Sequence, residues 1–169
     1  MDRRRFLMLA TGAIGAGALT LVARAQQDVV AVTLPATDPT FKLDEAQWRK
    51  RLGPQRYAVL RQAATERAFS SPLDHEHRAG VYRCAGCALP LFSSKNKFDS
   101  GTGWPSFWRP LMAGAITTDT DTTLMMVRTE VRCRRCASHL GHVFDDGPPP
   151  TGLRYCINGL ALQFLPAMA

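Results

Sequence analysis

The sequence predicts a mainly β protein, an antiparallel sheet built around a zinc site and preceded by short helices. Three observations carry this. Two Cys-x-x-Cys pairs, Cys84/Cys87 and Cys133/Cys136, supply the four soft ligands of a tetrahedral zinc ion. Four thiolates leave no coordination position open for substrate, so such a metal is structural. Met125, Val127, Thr129 and Val131 alternate with Met126, Arg128, Glu130 and Arg132, the period of a half-buried strand running straight into Cys133. Helical periodicity is confined to the chain before Gly80.

In chain order, residues 1–25 read as an export signal. Arg3, Arg4 and Arg5 precede an apolar stretch from Phe6 to Val22, and Ala23-Arg24-Ala25 has the form of a cleavage site. The segment resembles the bacterial twin-arginine signal, with Asp2 and Met8 departing from the usual pattern, and implies export to the periplasm. That route carries folded proteins, so zinc is loaded before an oxidising compartment is reached. An uncleaved anchor is the weaker alternative, because Gly12, Gly15 and Gly17 interrupt a stretch at the lower edge of spanning length. Only that alternative makes a membrane a partner.

Residues 26–40, with Pro35 and Pro39, read as a linker, and 41–169 as one domain. Asp44 with Gln47 forms a helix start, with Trp48 and Leu52 one turn apart, and Gly53-Pro54 ends that helix and opens another. Tyr57, Leu60 and Ala64 give the second helix one apolar face. Beyond Gly80 the pattern is extended. Asp119-Thr120-Asp121-Thr122 reads as a hairpin turn, Gly147-Pro148-Pro149-Pro150 as a rigid loop, and Arg154 to Phe164 as the last strand. Gly86 suits the tight turn of a metal knuckle.

The formal charge of +7 is partly borrowed from the signal; without residues 1–25 the chain keeps 17 basic and 13 acidic residues. Four thiolates on one zinc ion lower the balance by about two more charges, so nucleic acid is not an indicated partner.

The fifth cysteine is outside both pairs. On an extended strand Arg154, Cys156 and Asn158 fall on one face, so a cation, a thiol and an amide converge. An ordinary thiol titrates near ~8.5, and a neighbouring guanidinium favours its anion. A lone buried cysteine is more often inert, but the neighbours weigh against that here. Two histidines and two carboxylates stand in Ser138-His139-Leu140-Gly141-His142-Val143-Phe144-Asp145-Asp146-Gly147, whereas His75 and His77 read as surface residues.

Together with Gly101-Thr102-Gly103-Trp104-Pro105-Ser106-Phe107 and Arg154-Tyr155-Cys156-Ile157-Asn158, that run closely resembles the B-type methionine sulfoxide reductases, which reduce the R epimer of methionine sulfoxide. The resemblance spans the chain from Trp48 to Phe164 and includes both knuckles. It implies a tent-like antiparallel β core holding one structural zinc on Cys84, Cys87, Cys133 and Cys136. It makes Cys156 the nucleophile that passes through a sulfenic acid, with His142 and His139 protonating or orienting the sulfoxide oxygen. Asp146, Arg154 and Asn158 then hold water and those side chains in place, while Trp104 packs on the S-methyl group and Phe107 helps bind substrate. The implied partners are oxidised methionine in proteins and an external thiol reductant such as a thioredoxin-like protein.

Thr102 stands where some members carry a resolving cysteine, and Gly159 where a serine often follows. Two rivals take the same residues differently. In a non-enzymatic zinc-ribbon module the arginines with Trp104, Phe107 and Trp108 form a nucleic-acid surface, and in a thiol oxidoreductase or peroxidase of another kind Cys156 acts on a different substrate. If the Cys-x-x-Cys pairs are instead redox disulfides, no metal is needed.

Overall fold

Asp44 opens the α-helix α1 (Glu45–Gln62): its Oδ1 accepts from Gln47 N at 2.8 Å, and Gln47 Oε1 accepts from Asp44 N at 2.9 Å. This reciprocal cap satisfies two otherwise orphaned donors and is worth about 1 kcal/mol. The structure, a computed structural model, describes residues 41–168; the expected signal and linker lie outside the described residues. Gly53 leaves helical geometry at φ 69 and ψ 172, so α1 is two helical halves across a kink. Pro54 opens the second half, where its missing N–H costs nothing. Ala63 ends the helix in the left-handed region at φ 53, which puts Ala64 past the end of the apolar face. Trp48, Leu52, Tyr57 and Leu60 are buried. Among the described residues no helix is long and apolar enough to cross a membrane.

Among the described residues, nine strands form two antiparallel sheets. β1 (Gly80–Cys84) lies between β2 (Pro90–Ser93) and β9 (Leu162–Pro166) in a three-stranded sheet. The larger sheet has the order β3 (Lys97–Phe98), β4 (Ser106–Phe107), β8 (Arg154–Ile157), β7 (His139–Phe144), β6 (Arg128–Cys133), β5 (Ile116–Asp121). Aromatic residues join them. Phe92 of the small sheet stacks on Phe107 of the large one at 4.4 Å between ring centroids, and Tyr82 meets Phe107 edge-on at 4.9 Å. All three rings are fully buried, the geometry in which aromatic pairs add most beyond their buried area.

Three expectations are corrected. Asp119 to Asp121 belongs to β5, paired as far as Asp121 with Arg128, so the hairpin turn falls at 122–127. Asp121 starts that turn by accepting from both Thr123 N and Thr123 Oγ1, an Asx-type contact that a pattern of Asp and Thr leaves free to sit one register further on. Met125 is therefore at the exposed tip with φ 55, and the strand begins at Arg128 rather than Met125. The last strand is also two strands: β8 stops at Ile157, a 3-10 turn covers Gly159–Ala161, and β9 joins the other sheet.

Candidate active site and metal centre

Each Cys-x-x-Cys closes the same way. Ala88 N donates to Cys84 O and Ala137 N to Cys133 O, both at 2.8 Å, while Cys84 N donates to Leu89 O and Cys133 N to Ser138 O. The residue after each second cysteine takes the left-handed conformation, Ala88 at φ 60 and Ala137 at φ 54. Gly86 lies within the first knuckle's turn, but the left-handed position there is Ala88 and not the glycine that the sequence suggested. Its missing Cβ makes room for Leu60 of α1 and the Ser138 hydroxyl, each of which would lie 3.3 Å from an added carbon.

The knuckles interlock. Cys84 Sγ lies 3.6 Å from Cys136 Sγ, and Cys87 Sγ lies 3.5 Å from Cys133 Sγ. All four sulfurs are buried and lie within 4.8 Å of one another. Sulfurs bound at ~2.3 Å to a tetrahedral zinc stand about 3.8 Å apart, whereas a disulfide brings them to about 2.05 Å. The donor set fits zinc and not redox disulfides, and the four cysteines form a structural zinc site. Guanidiniums surround it: Arg51 donates to Gly86 O, Arg61 to Cys136 O and Arg135 to Cys87 O. Cationic donors on the knuckle carbonyls offset the charge of four thiolates.

Cys156 lies on β8 directly opposite His142 on β7. Gly141 allows the close approach, since an added Cβ would run into the Cys156 carbonyl. Cys156 lines a cavity of about 130 Å³. Trp104 and Phe144 give it apolar walls, while His142, Asn158 and Arg128 give it polar ones. A larger groove of about 1000 Å³ runs beside α1 and β9, but neither cysteine nor histidine lines it.

Burial pushes the Cys156 thiol up from its ordinary value, against the opposing pull of the Thr102 hydroxyl and the Arg154 guanidinium. Arg154 does favour the anion, as its position on the strand implies, but desolvation of the anion outweighs the cation's attraction. Arg154 is engaged elsewhere. It grips Asp146 through Nε at 2.8 Å and an Nη at 2.7 Å, and stacks on Phe144 at 4.4 Å. Neither Arg154 nor Asp146 lines the cavity; they brace one of its walls.

The two histidines come together through a bulge. Val131 pairs with Gly141 but Arg132 pairs with His139, so Leu140 is an extra residue on β7. Without it, His139 and His142 would point to opposite faces of the sheet. With it, the rings sit 5.4 Å apart. Each has a carboxylate: His139 Nδ1 with Glu130 Oε1 at 2.6 Å, and His142 Nε2 with Asp121 Oδ2 at 2.8 Å. Burial holds His139 below the usual imidazole value, against the opposing pull of the Glu130 carboxylate. Asp121 is held far below the usual carboxylate range, chiefly by the Thr123 hydroxyl and amide and then by His142.

Phe107 is not at the cavity. It is fully buried between Phe92 and Tyr82, and Phe144 takes the place on the wall that the sequence pattern assigned to it. Alternation explains the difference: Ser106 pairs with Cys156 while Phe107 pairs with Tyr155, so Phe107 points to the core side. Asn158 lies beyond β8, yet lines the cavity. Sequence reasoning missed Asp121, Arg128, Glu130 and Phe144. The first three lie on β5 and β6, and only strand pairing brings them to the histidines.

A buried four-cysteine metal centre, with a separate thiol facing a histidine–carboxylate pair in a small cavity, defines a zinc-stabilised thiol oxidoreductase. The SelR domain family model matches residues 52–166. Peptide methionine sulfoxide reductase MsrB of Thiobacillus denitrificans is 62% identical over 122 residues, spanning 72% of this chain and 92% of its own. The proteins of that name from Agrobacterium fabrum and Bradyrhizobium diazoefficiens are 53% and 55% identical over 130 residues, each alignment spanning 77% of this chain and respectively 96% and 94% of the relative. The chain belongs to the B-type methionine sulfoxide reductase family.

Proposed function

We propose that this protein reduces the R epimer of methionine sulfoxide in oxidised proteins to methionine, with Cys156 as nucleophile and an external thiol as electron source. The observation that carries this reading is the pairing of Cys156 with His142 at a cavity walled by Trp104 and Phe144. The rings suit the S-methyl group and its neighbouring methylene, and the polar side suits the oxygen.

In the net step the substrate's S–O bond breaks and an S–O bond to Cys156 forms. The thiol proton ends on that oxygen. The methionine sulfur gains the two electrons that the Cys156 sulfur loses, leaving a sulfenic acid. His142 moves the proton as charge builds on oxygen, and Asp121 orients its ring. Burial that favours the Cys156 thiol suits this role, since the thiol carries the proton that ends on the transferred oxygen. Two external thiols then return Cys156 to the thiol, releasing water and their own disulfide. A thioredoxin-like protein fits that requirement. A dithiothreitol-driven assay with separated epimers tests the function: the R epimer should be consumed and the S epimer spared, and equal consumption of both, or of neither, overturns it.

Thr102 supports turnover without an internal disulfide. Its Oγ1 lies 3.9 Å from Cys156 Sγ, and the remaining cysteines belong to the metal centre. In a single turnover without reductant the protein should release about one methionine per chain, label at Cys156 with a sulfenate probe and show no intramolecular disulfide. With the two side chains already in contact, Thr102→Cys should form a 102–156 bridge if the Cα atoms stand within the range of about 4.4–6.8 Å that one requires. Mass spectrometry of both proteins decides the matter, and a Cys156 bridge in the unmutated protein would refute the scheme.

Periplasmic action, reached by twin-arginine export of the folded and metal-loaded protein, is the remaining part of the proposal. Arg3, Arg4 and Arg5 followed by the apolar run support it. Replacing those three arginines with lysine should retain the precursor in the cytoplasm, because the receptor reads paired arginines rather than charge. Undiminished periplasmic delivery in cell fractionation points to another route.

A further inference from the structure

We propose that Glu66 is a positioning residue, holding Trp104 and Asn158 at the Cys156 cavity. The proposal rests on the reading of Cys156 as nucleophile and Trp104 as substrate wall. Glu66 is buried, and its carboxylate meets no cation among the described residues. Its Oε1 accepts from Gly159 N and its Oε2 from Leu160 N at 2.9 Å, the amides three and four residues past the nucleophile. Burial drives its carboxyl up from the ordinary value while those two amides oppose it. Glu66 lies at the wall of the larger groove beside α1 and β9, and a carboxylate so placed is costly to bury unless its oxygens are hydrogen-bonded, as both are here.

The main chain of the same residue reaches the cavity from the other side. Glu66 N donates to Asn158 Oδ1 at 3.0 Å, and Glu66 O accepts from Trp104 Nε1 at 3.2 Å. Asn158 Nδ2 donates to Leu140 O, so the amide's orientation is fixed at both ends and its second N–H is left for the cavity it lines. Phe69 N donates to Gly103 O at 2.8 Å, tying the same segment to the Trp104 loop a second time. Gly159 completes the fit: an added Cβ would strike the Ser71 side chain, so the usual serine is excluded by a serine arriving from the opposite side. One residue thus sets the distance between the indole wall, the amide and the strand that carries the thiol.

Pre-steady-state reduction of a methionine-R-sulfoxide peptide by the zinc-loaded full-length chain tests this. In Glu66→Gln one amide N–H faces an NH₂ donor instead of an oxygen, so the substrate concentration for half-maximal rate should rise about tenfold while the saturating rate stays within about threefold. A merely structural residue would reduce the active fraction and leave half-saturation where it was. Half-saturation at the wild-type value, or a fall confined to the saturating rate, overturns the proposal. Trp104→Phe keeps an aromatic wall but lacks the Nε1–H. It should raise half-saturation about threefold or more alone and add less than that in the Glu66→Gln background. If Glu66→Gln does not fold, a wild-type half-saturation in Trp104→Phe overturns the proposal by itself. Cys156→Ser run alongside separates the two levels: reduction surviving in that variant means the nucleophile is misassigned, whereas its loss with an unmoved Glu66→Gln means only the positioning is wrong.

Discussion

Cys133→Ser should yield a protein without zinc and without a cooperative thermal transition. Cys133 ends β6 of the large sheet and Cys84 ends β1 of the small one, so the metal joins the two sheets. A structural zinc contributes on the order of 10 kcal/mol to folding, as much as a whole domain's net stability. Serine cannot replace a thiolate on a soft metal, and the three remaining buried sulfurs then repel one another if ionised. Two left-handed alanines, each costing roughly 1–2 kcal/mol, lose what held them. Metal analysis and calorimetry are the measurements. Unchanged zinc stoichiometry with a sharp transition would remove the four-cysteine assignment.

Cys156→Ser should behave in the opposite way, with zinc content and melting intact and single-turnover reduction lowered on the order of a thousandfold or more. The substitution is nearly isosteric at a half-buried position and touches no knuckle. A hydroxyl is a far weaker nucleophile toward sulfur, and it has no equivalent of the sulfenic acid with which to take the oxygen. Substantial remaining reduction means that another group accepts the oxygen.

The metal centre was legible because its donors are declared by residue type and spacing, and four sulfurs have one common geometry. The helix start at Asp44 and the break at Gly53 were legible for the same reason, being governed by neighbours a few positions away. Pairing across strands was not. His139 and His142 share a face only because Leu140 is extra on β7, and no local pattern marks a residue that its partner strand fails to match. Asp121 and Glu130 reach the histidines across 21 and 9 positions through the sheet. Phe107 was misplaced because its motif runs through a two-residue strand, where one step of phase exchanges core for cavity.

The crossing of the chain from one sheet to the other has a practical corollary. Asn158 to Ala161 is the only stretch between the strand bearing the reactive sulfur and β9, while the metal clamps the ends of β1, which β9 flanks, and β6, which lies two strands from Cys156. Stripping the ion with a chelator loosens the two sheets against the very corner on which that sulfur is seated. The speed at which a mild alkylating reagent consumes Cys156 then serves as a clock for metal loss, and a stock of this protein can be graded for loading by titrating a thiol that never touches the zinc.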